Sequence, residues 1–250
     1  MDVLDKYFDH YVINARLKPA FFVVMPLVVT TIAWCPEAQQ LGGIILAFLI
    51  TFGVMAFLSN LVSNLGNQLQ ERLFESWGGV PTTIILRHSD STLDTHTKQR
   101  YHRWLESKVS GLIMPSPDAE TDAAEVADGL YTSATNFLRE YTRDKSKYPM
   151  VYGDNVAYGF ARNLLVMKWI GIGVAIISIF LNVAFLFSKY SGQSLLDFVN
   201  ENMAMVLIGV GATGASIIIT LVLVFALNEG YVYGRAIRYA KSLLAACEGP

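Results

Sequence analysis

Residues 38–70 read AQQLGGIILAFLITFGVMAFLSNLVSNLGNQLQ, 33 positions without a formal charge, and residues 71–104 read ERLFESWGGVPTTIILRHSDSTLDTHTKQRYHRW. A helix rises about 1.5 Å per residue, so the first stretch reaches roughly 50 Å, well beyond a hydrocarbon layer about 30 Å thick. Its apolar part belongs in lipid. Its Asn/Gln-rich end, Asn60 to Gln70, must then leave the membrane toward a domain that wants water.

Working outward, the chain carries 19 Lys plus Arg and 21 Asp plus Glu, but these charges avoid four long segments. The first runs from Pro19 to Trp34, with Pro26 expected to bend it, and Glu37 with Gly42-Gly43 predicts a tight turn before the long second span. The third fills Trp169 to Ser188 and the fourth Asn202 to Asn228. Trp34, Trp169, Tyr190, Tyr231 and Tyr233 fall near the borders, where an amphipathic ring bridges hydrocarbon and headgroups. The pattern predicts an α-helical integral membrane protein with four transmembrane helices in two hairpins and an inserted cytoplasmic domain, α+β or mainly helical. The divisions are a cytoplasmic or interfacial segment at 1–18, a first hairpin with its helical extension at 19–70, and the insertion at 71–168. A second hairpin at 169–228 and a tail at 229–250 complete the chain.

Residues 1–18 are polar and amphipathic, with Leu4, Phe8, Tyr11, Val12 and Ala15 at a helical period, which argues for a surface helix and against a cleaved signal peptide. Cys35 and Cys247 form no pairing pattern. Lys6, Arg16 and Lys18 precede the first span, Arg235, Arg238 and Lys241 follow the last, and residues 71–168 hold twelve more cations. Loop 35–41 has none and loop 189–201 only Lys189, so the positive-inside rule places both termini and the insertion in the cytoplasm of a multi-pass protein.

Within the insertion, QLQERLFESW is helix-compatible and breaks at Gly78-Gly79. TTIILR, rich in β-branched residues, reads as a short strand, and Ser89 with Asp90 or Ser91 is expected to start the next helix. Residues 115–117 read as a loop before helical AEVADGLYTSATNFLREYTR.

No enzyme signature is specific. His88, Asp90, Asp94, His96 and His102 have no established metal-donor spacing, and nothing sets a nucleophile beside a base, so no cofactor or metal is assigned. Gly209-x-Gly211-x-x-Gly214 imitates a dinucleotide fingerprint inside a span, where small-residue helix packing is the better account. Two basic groups stand out as candidate ligand-binding residues: Arg87, His88, Lys98, Arg100, His102 and Arg103, then Arg139, Arg143, Lys145 and Lys147 with Tyr141 and Tyr148. Such cations bind phosphates while rings stack on bases; a solvated face toward anionic lipid is the plainer alternative. Asn60, Asn64 and Asn67 form a polar stripe on the second span, and Thr213, Ser216 and Thr220 another on the fourth. Either stripe could line water in a ring of subunits or serve interhelical hydrogen bonds.

The two-hairpin layout, with Leu73-Phe74-Glu75-Ser76-Trp77-Gly78-Gly79-Val80-Pro81-Thr82-Thr83, then Leu86-Arg87 and Thr97-Lys98-Gln99-Arg100-Tyr101-His102, resembles the membrane effector of the bacterial Hailong anti-phage system. The resemblance implies a homo-oligomeric channel, a tetramer being one arrangement, in the bacterial inner membrane. It further implies restraint by single-stranded DNA oligomers that a partner nucleotidyltransferase makes, with their loss opening the channel. A membrane-anchored enzyme acting on nucleotides or lipids, and a non-conducting scaffold, are the alternatives from other classes.

Overall fold

The computed structural model describes residues 10–34, 41–190, 192 and 194–249, and between 41 and 56 the side chains of only 42, 43 and 52–54. Residues 1–9, including Leu4 and Phe8, and residues 35–40, including Cys35 and Glu37, lie outside this set.

In chain order, a π-helical turn Val12–Leu17 leads into α1 (Lys18–Trp34), followed by α2 (Leu41–Ser76), α3 (Pro81–Leu86) and α4 (Thr95–Lys108). Then come α5 (Pro117–Asp122), α6 (Ala124–Tyr141), α7 (Pro149–Val166), α8 (Lys168–Lys189) and α9 (Leu195–Glu201). The chain closes with α10 (Met203–Leu221), a π-helical turn Val222–Ala226, α11 (Glu229–Ala245) and a 3-10 turn Ala246–Glu248. Among the described residues there is no strand. The chain is therefore mainly helical, and two compact units divide it. One holds the described residues up to Asn67 together with Phe160–Tyr231; the other holds Gln68–Gly159 together with the described residues from Val232 onward.

The first unit contains the apolar helices. Val12–Trp34, Lys168–Lys189 and Met203–Ala226 are each long and apolar enough to cross a membrane, which supports a multi-pass protein. α8 packs on α1 and α10, and α1 packs on α10. The buried stripe of α8 is Gly171, Ile172, Ala175, Ser178 and Asn182, whereas Ile177, Phe180 and Phe187 are more than half exposed. Small and polar groups inside with large apolar groups outside is the pattern of a bundle surrounded by lipid, where close approach comes from small residues. Gly209 shows why: a Cβ there would lie 2.6 Å from the Trp34 ring. The glycines at 209–214 accordingly belong to the interior of α10, not to a nucleotide loop. Trp34 does not sit as a free border ring; it donates Nε1–H to Asn182 Oδ1 at 2.7 Å, and Asn182 donates to Thr30 Oγ1 at 3.1 Å. Pro26 is buried within α1. Gly42 and Gly43 lie inside α2, so the turn expected there is replaced by helix.

The second unit has its own core, built by Leu86, Leu105, Tyr131, Leu138, Leu243 and Leu244 among others. Ala240, Leu243, Leu244, Ala246 and Cys247, in the segment from Val232 onward, contribute to this core. The expected strand is α3. Pro81 pre-sets the first helical turn, and Thr82, Thr83, Ile85 and Leu86 are buried, so packing on α6 overrides β-propensity over six residues. Gly78 and Gly79 have φ of 80° and 140°, the left-handed side that glycine tolerates, and they end α2 as expected. Pro117, read as the end of a loop at 115–117, instead opens the short helix α5, which Ser116 caps.

Candidate functional site

Arg87, His88, Lys98 and His102 of the first basic group are used by the fold itself. Residues 87–94 connect α3 to α4, whose N-cap is Asp94, accepting from Thr97 N–H at 2.9 Å; Ser89, Asp90 and Ser91 stand too early in the loop for that role. Three charged side chains hold this loop. Arg87 donates Nε and Nη2 to Asp128 at 2.8 and 2.7 Å, and Nη2 also reaches the Gly78 carbonyl at 2.9 Å. Lys98, only 4% exposed, donates Nζ to the Arg87 carbonyl and, at 2.5 Å, to the Asp90 carbonyl. Glu120 accepts from His88 N–H at 2.7 Å, from Ser89 N–H at 3.2 Å, from Ser89 Oγ at 3.0 Å and from Tyr131 Oη at 2.7 Å.

Electrostatics follow from these partners. Burial pushes the Glu120 carboxyl up, but the donors from Tyr131, His88 and Ser89 outweigh it and bring its pKa to about 2. Burial lowers the pKa of Lys98 and, despite the Leu86 carbonyl bond, that of His102. His88 and His102 donate Nε2–H to the Pro115 and Leu86 carbonyls, both at 2.9 Å, and their rings meet edge to face at 5.1 Å. A cavity of about 430 Å³ lies beside the loop, lined by His88, Asp90, Asp94, Lys98 and Gln99 among others. With two carboxylates in its lining and its lysine turned onto carbonyls, it offers little attraction to phosphate. Among the described residues no group of three or more His, Cys, Asp or Glu side chains gathers to hold a metal.

Arg100 pairs with Glu248 at 2.7 Å, and Arg103 donates to the Gln99 carbonyl at 3.3 Å; both cations remain exposed. In the other group, Arg139 meets Asn136 at 3.4 Å and Arg143 meets Glu140 at 3.1 Å, each on the exposed surface. Lys147 sits over two rings, 6.0 Å from the Tyr141 centroid and 5.6 Å from that of Tyr148. The structure adds Trp104, Lys108 and Phe137 to this neighbourhood. Trp104 packs edge to face on Tyr141 at 5.3 Å, Phe137 stacks on Tyr141 at 6.0 Å, and Lys108 lies 5.8 Å from the Trp104 ring. Tyr141 is 40% exposed, and Trp104 and Phe137 are half-buried. α4 and α6 therefore present a shared aromatic surface edged by exposed lysines and arginines. The helical spacings Trp104/Lys108 and Phe137/Tyr141 were the available signal for these additions, since residues four apart share a helix face.

In the apolar unit, Asn60, Asn64 and Asn67 are exposed. The hydroxyls of Thr213, Ser216 and Thr220 instead donate to the carbonyls of Gly209, Ala212 and Ser216 on their own helix, each at 2.9 Å, with Ser216 fully buried. No family model, curated protein or solved structure matches the chain.

Proposed function

We propose that the chain is a subunit of a homo-oligomeric membrane channel of anti-phage defence, controlled by an anionic ligand of the single-stranded oligonucleotide class. The observation that carries the reading is the Trp104–Tyr141 surface with Lys108 and Lys147, in a chain that also holds three apolar helices of membrane-spanning length. Flat rings accept bases of any sequence, and neighbouring cations accept the phosphates. The resemblance of residues 73–83, 86–87 and 97–102 supports the same assignment and names a nucleotidyltransferase as the source of the ligand. Within the proposal α2 provides the fourth crossing, and its exposed Asn60, Asn64 and Asn67 line the path. Thr213, Ser216 and Thr220 are weaker candidates for that role, having partners on their own helix. The termini and the polar unit face the cytoplasm of a bacterial inner membrane.

For the ligand to gate, it must bind closed and open assemblies with different affinity. Planar-bilayer recording of the purified protein, with and without a short oligo(dT), tests both halves. The expected result is a conductance that the oligonucleotide suppresses; absence of conductance in every ligand condition would remove the channel. Fluorescence-anisotropy titration at several salt concentrations tests the ligand separately, since binding through phosphates gives an affinity that falls with salt.

A further inference from the structure

At the end of α10 the hydrogen bonds are rerouted. α10 passes into the π-helical turn Val222–Ala226, and Leu227 then leaves helical geometry with φ −99° and ψ 104°. In an uninterrupted α-helix the Val224 carbonyl would accept from the Asn228 N–H, and the Leu227 carbonyl from the Tyr231 N–H. Here Lys168 Nζ donates to both carbonyls, at 3.2 Å to Val224 and 2.8 Å to Leu227. The Tyr231 N–H is taken by Asn228 Oδ1 at 2.9 Å. Two side chains, Lys168 and Asn228, thus supply the replacements for both carbonyls and for the Tyr231 amide.

The same junction is tightly packed. Leu223, in the π-turn, is 2% exposed, and a Cβ at Gly171 would come within 2.9 Å of its Cδ1. Lys168 itself opens α8, directly after Met167, where α7 ends with φ −85° and ψ −1°. One ammonium therefore ties the break between α10 and α11 to the start of α8. π-turns hold an extra residue within a helical turn, and relaxing one to α geometry shifts the following residues in register.

We infer that Lys168 and Asn228 select between two states of the α10–α11 connection: the broken one seen here and a continuous α-helix in which the backbone bonds of Val224 and Leu227 are restored. Lys168 is a positioning residue in this device. Neutralising it removes the donors that make the break favourable, so the backbone amides take their place. A helix cap without a second state behaves oppositely, because its loss only frays the end.

Amide hydrogen exchange of the full chain in lipid nanodiscs, read on peptides covering residues 222–231, separates the two. With Lys168→Met, exchange at residues 227–229 is expected to slow by about tenfold or more, as a helical bond protects each amide; Lys168→Arg retains the wild-type rate. Asn228→Ala, which removes the side-chain acceptor of Tyr231 N–H, is expected to shift exchange in the same direction and provides a second route should Lys168→Met fail to fold. Faster exchange across 222–231 in either folded variant, or no change, would overturn the two-state connection. The measurement reads helix continuity without any conductance, so its outcome is separable from the channel reading.

Discussion

Two basic clusters in the polar unit look alike in sequence and differ in what their charges face. Around the loop at 87–94, Arg87 donates to Asp128 and the Gly78 carbonyl, and Lys98 of α4 to the Asp90 carbonyl, at 2.5–2.9 Å. Along the α4–α6 surface, Lys108 lies over the half-buried Trp104 ring and Lys147 over exposed Tyr141 and buried Tyr148, and both lysines stay open to solvent. A cation that already holds the fold together is not available to a ligand without a large loss of stability; a cation resting on a ring is.

That contrast is most directly broken at Glu120. Glu120→Ala would leave the His88 and Ser89 amides, the Ser89 hydroxyl and the buried Tyr131 hydroxyl without their acceptor, at a cost of about 3 kcal/mol or more. Thermal unfolding of the polar unit within the full chain, followed by limited proteolysis, reads this. An unchanged midpoint would show that the loop is not built from inside. Arg87→Ala should act in the same direction by about 2 kcal/mol, through loss of the fork to Asp128 and a carboxylate left unpaired.

Acid provides a titration of the same loop without mutation. The Glu120 pKa is lowered from 4.5 to about 2, so its stabilisation is complete above the unfolded value and is lost as pH falls from 4.5 through about 2, on the order of 3 kcal/mol in all. His102 is lowered by burial from 6.5, so its neutral form also favours the folded state, and that contribution falls away as pH drops below 6.5 toward and through its folded pKa. Unfolding midpoints measured from pH 7 to pH 2 should decline, and Glu120→Gln should flatten the lower part of that decline.

The displayed cluster is sharpened by binding. Tyr141→Ala or Trp104→Ala should each weaken oligo(dT) by about 1–3 kcal/mol while leaving most of the salt dependence, the mark of missing stacking rather than of a missing charge. Lys147→Met and Lys108→Met are expected to have smaller effects at moderate salt and to reduce the salt slope, by about one for each phosphate deprived of its cation. The smallest effects are expected at Arg100, Arg103, Arg139 and Arg143, whose exposed charges neighbour Glu248 or Glu140 or lie on open helix surface. If neutralising these four removes binding while Trp104→Ala does not, the ligand lies elsewhere on the unit.

Much of the architecture was legible along the chain because the signals are local. Charge-free runs at 169–188 and 202–228 match α8 and α10 with its π-turn, and Gly78-Gly79 ends α2, since solvent preference and allowed backbone angles belong to short stretches. The strand expected at 82–87 failed for the complementary reason: β-branched residues bias a segment weakly, and burial of α3 against α6 outweighed them. The fate of the basic residues was settled over longer distances. Arg87 meets Asp128 41 positions away, Arg100 meets Glu248 148 away, and Lys168 reaches Leu227 59 away. Composition and spacing determined that this chain has apolar helices, a polar unit and clustered cations; only folding, by choosing which partner each cation meets, decided which charges became structure and which stayed at the surface.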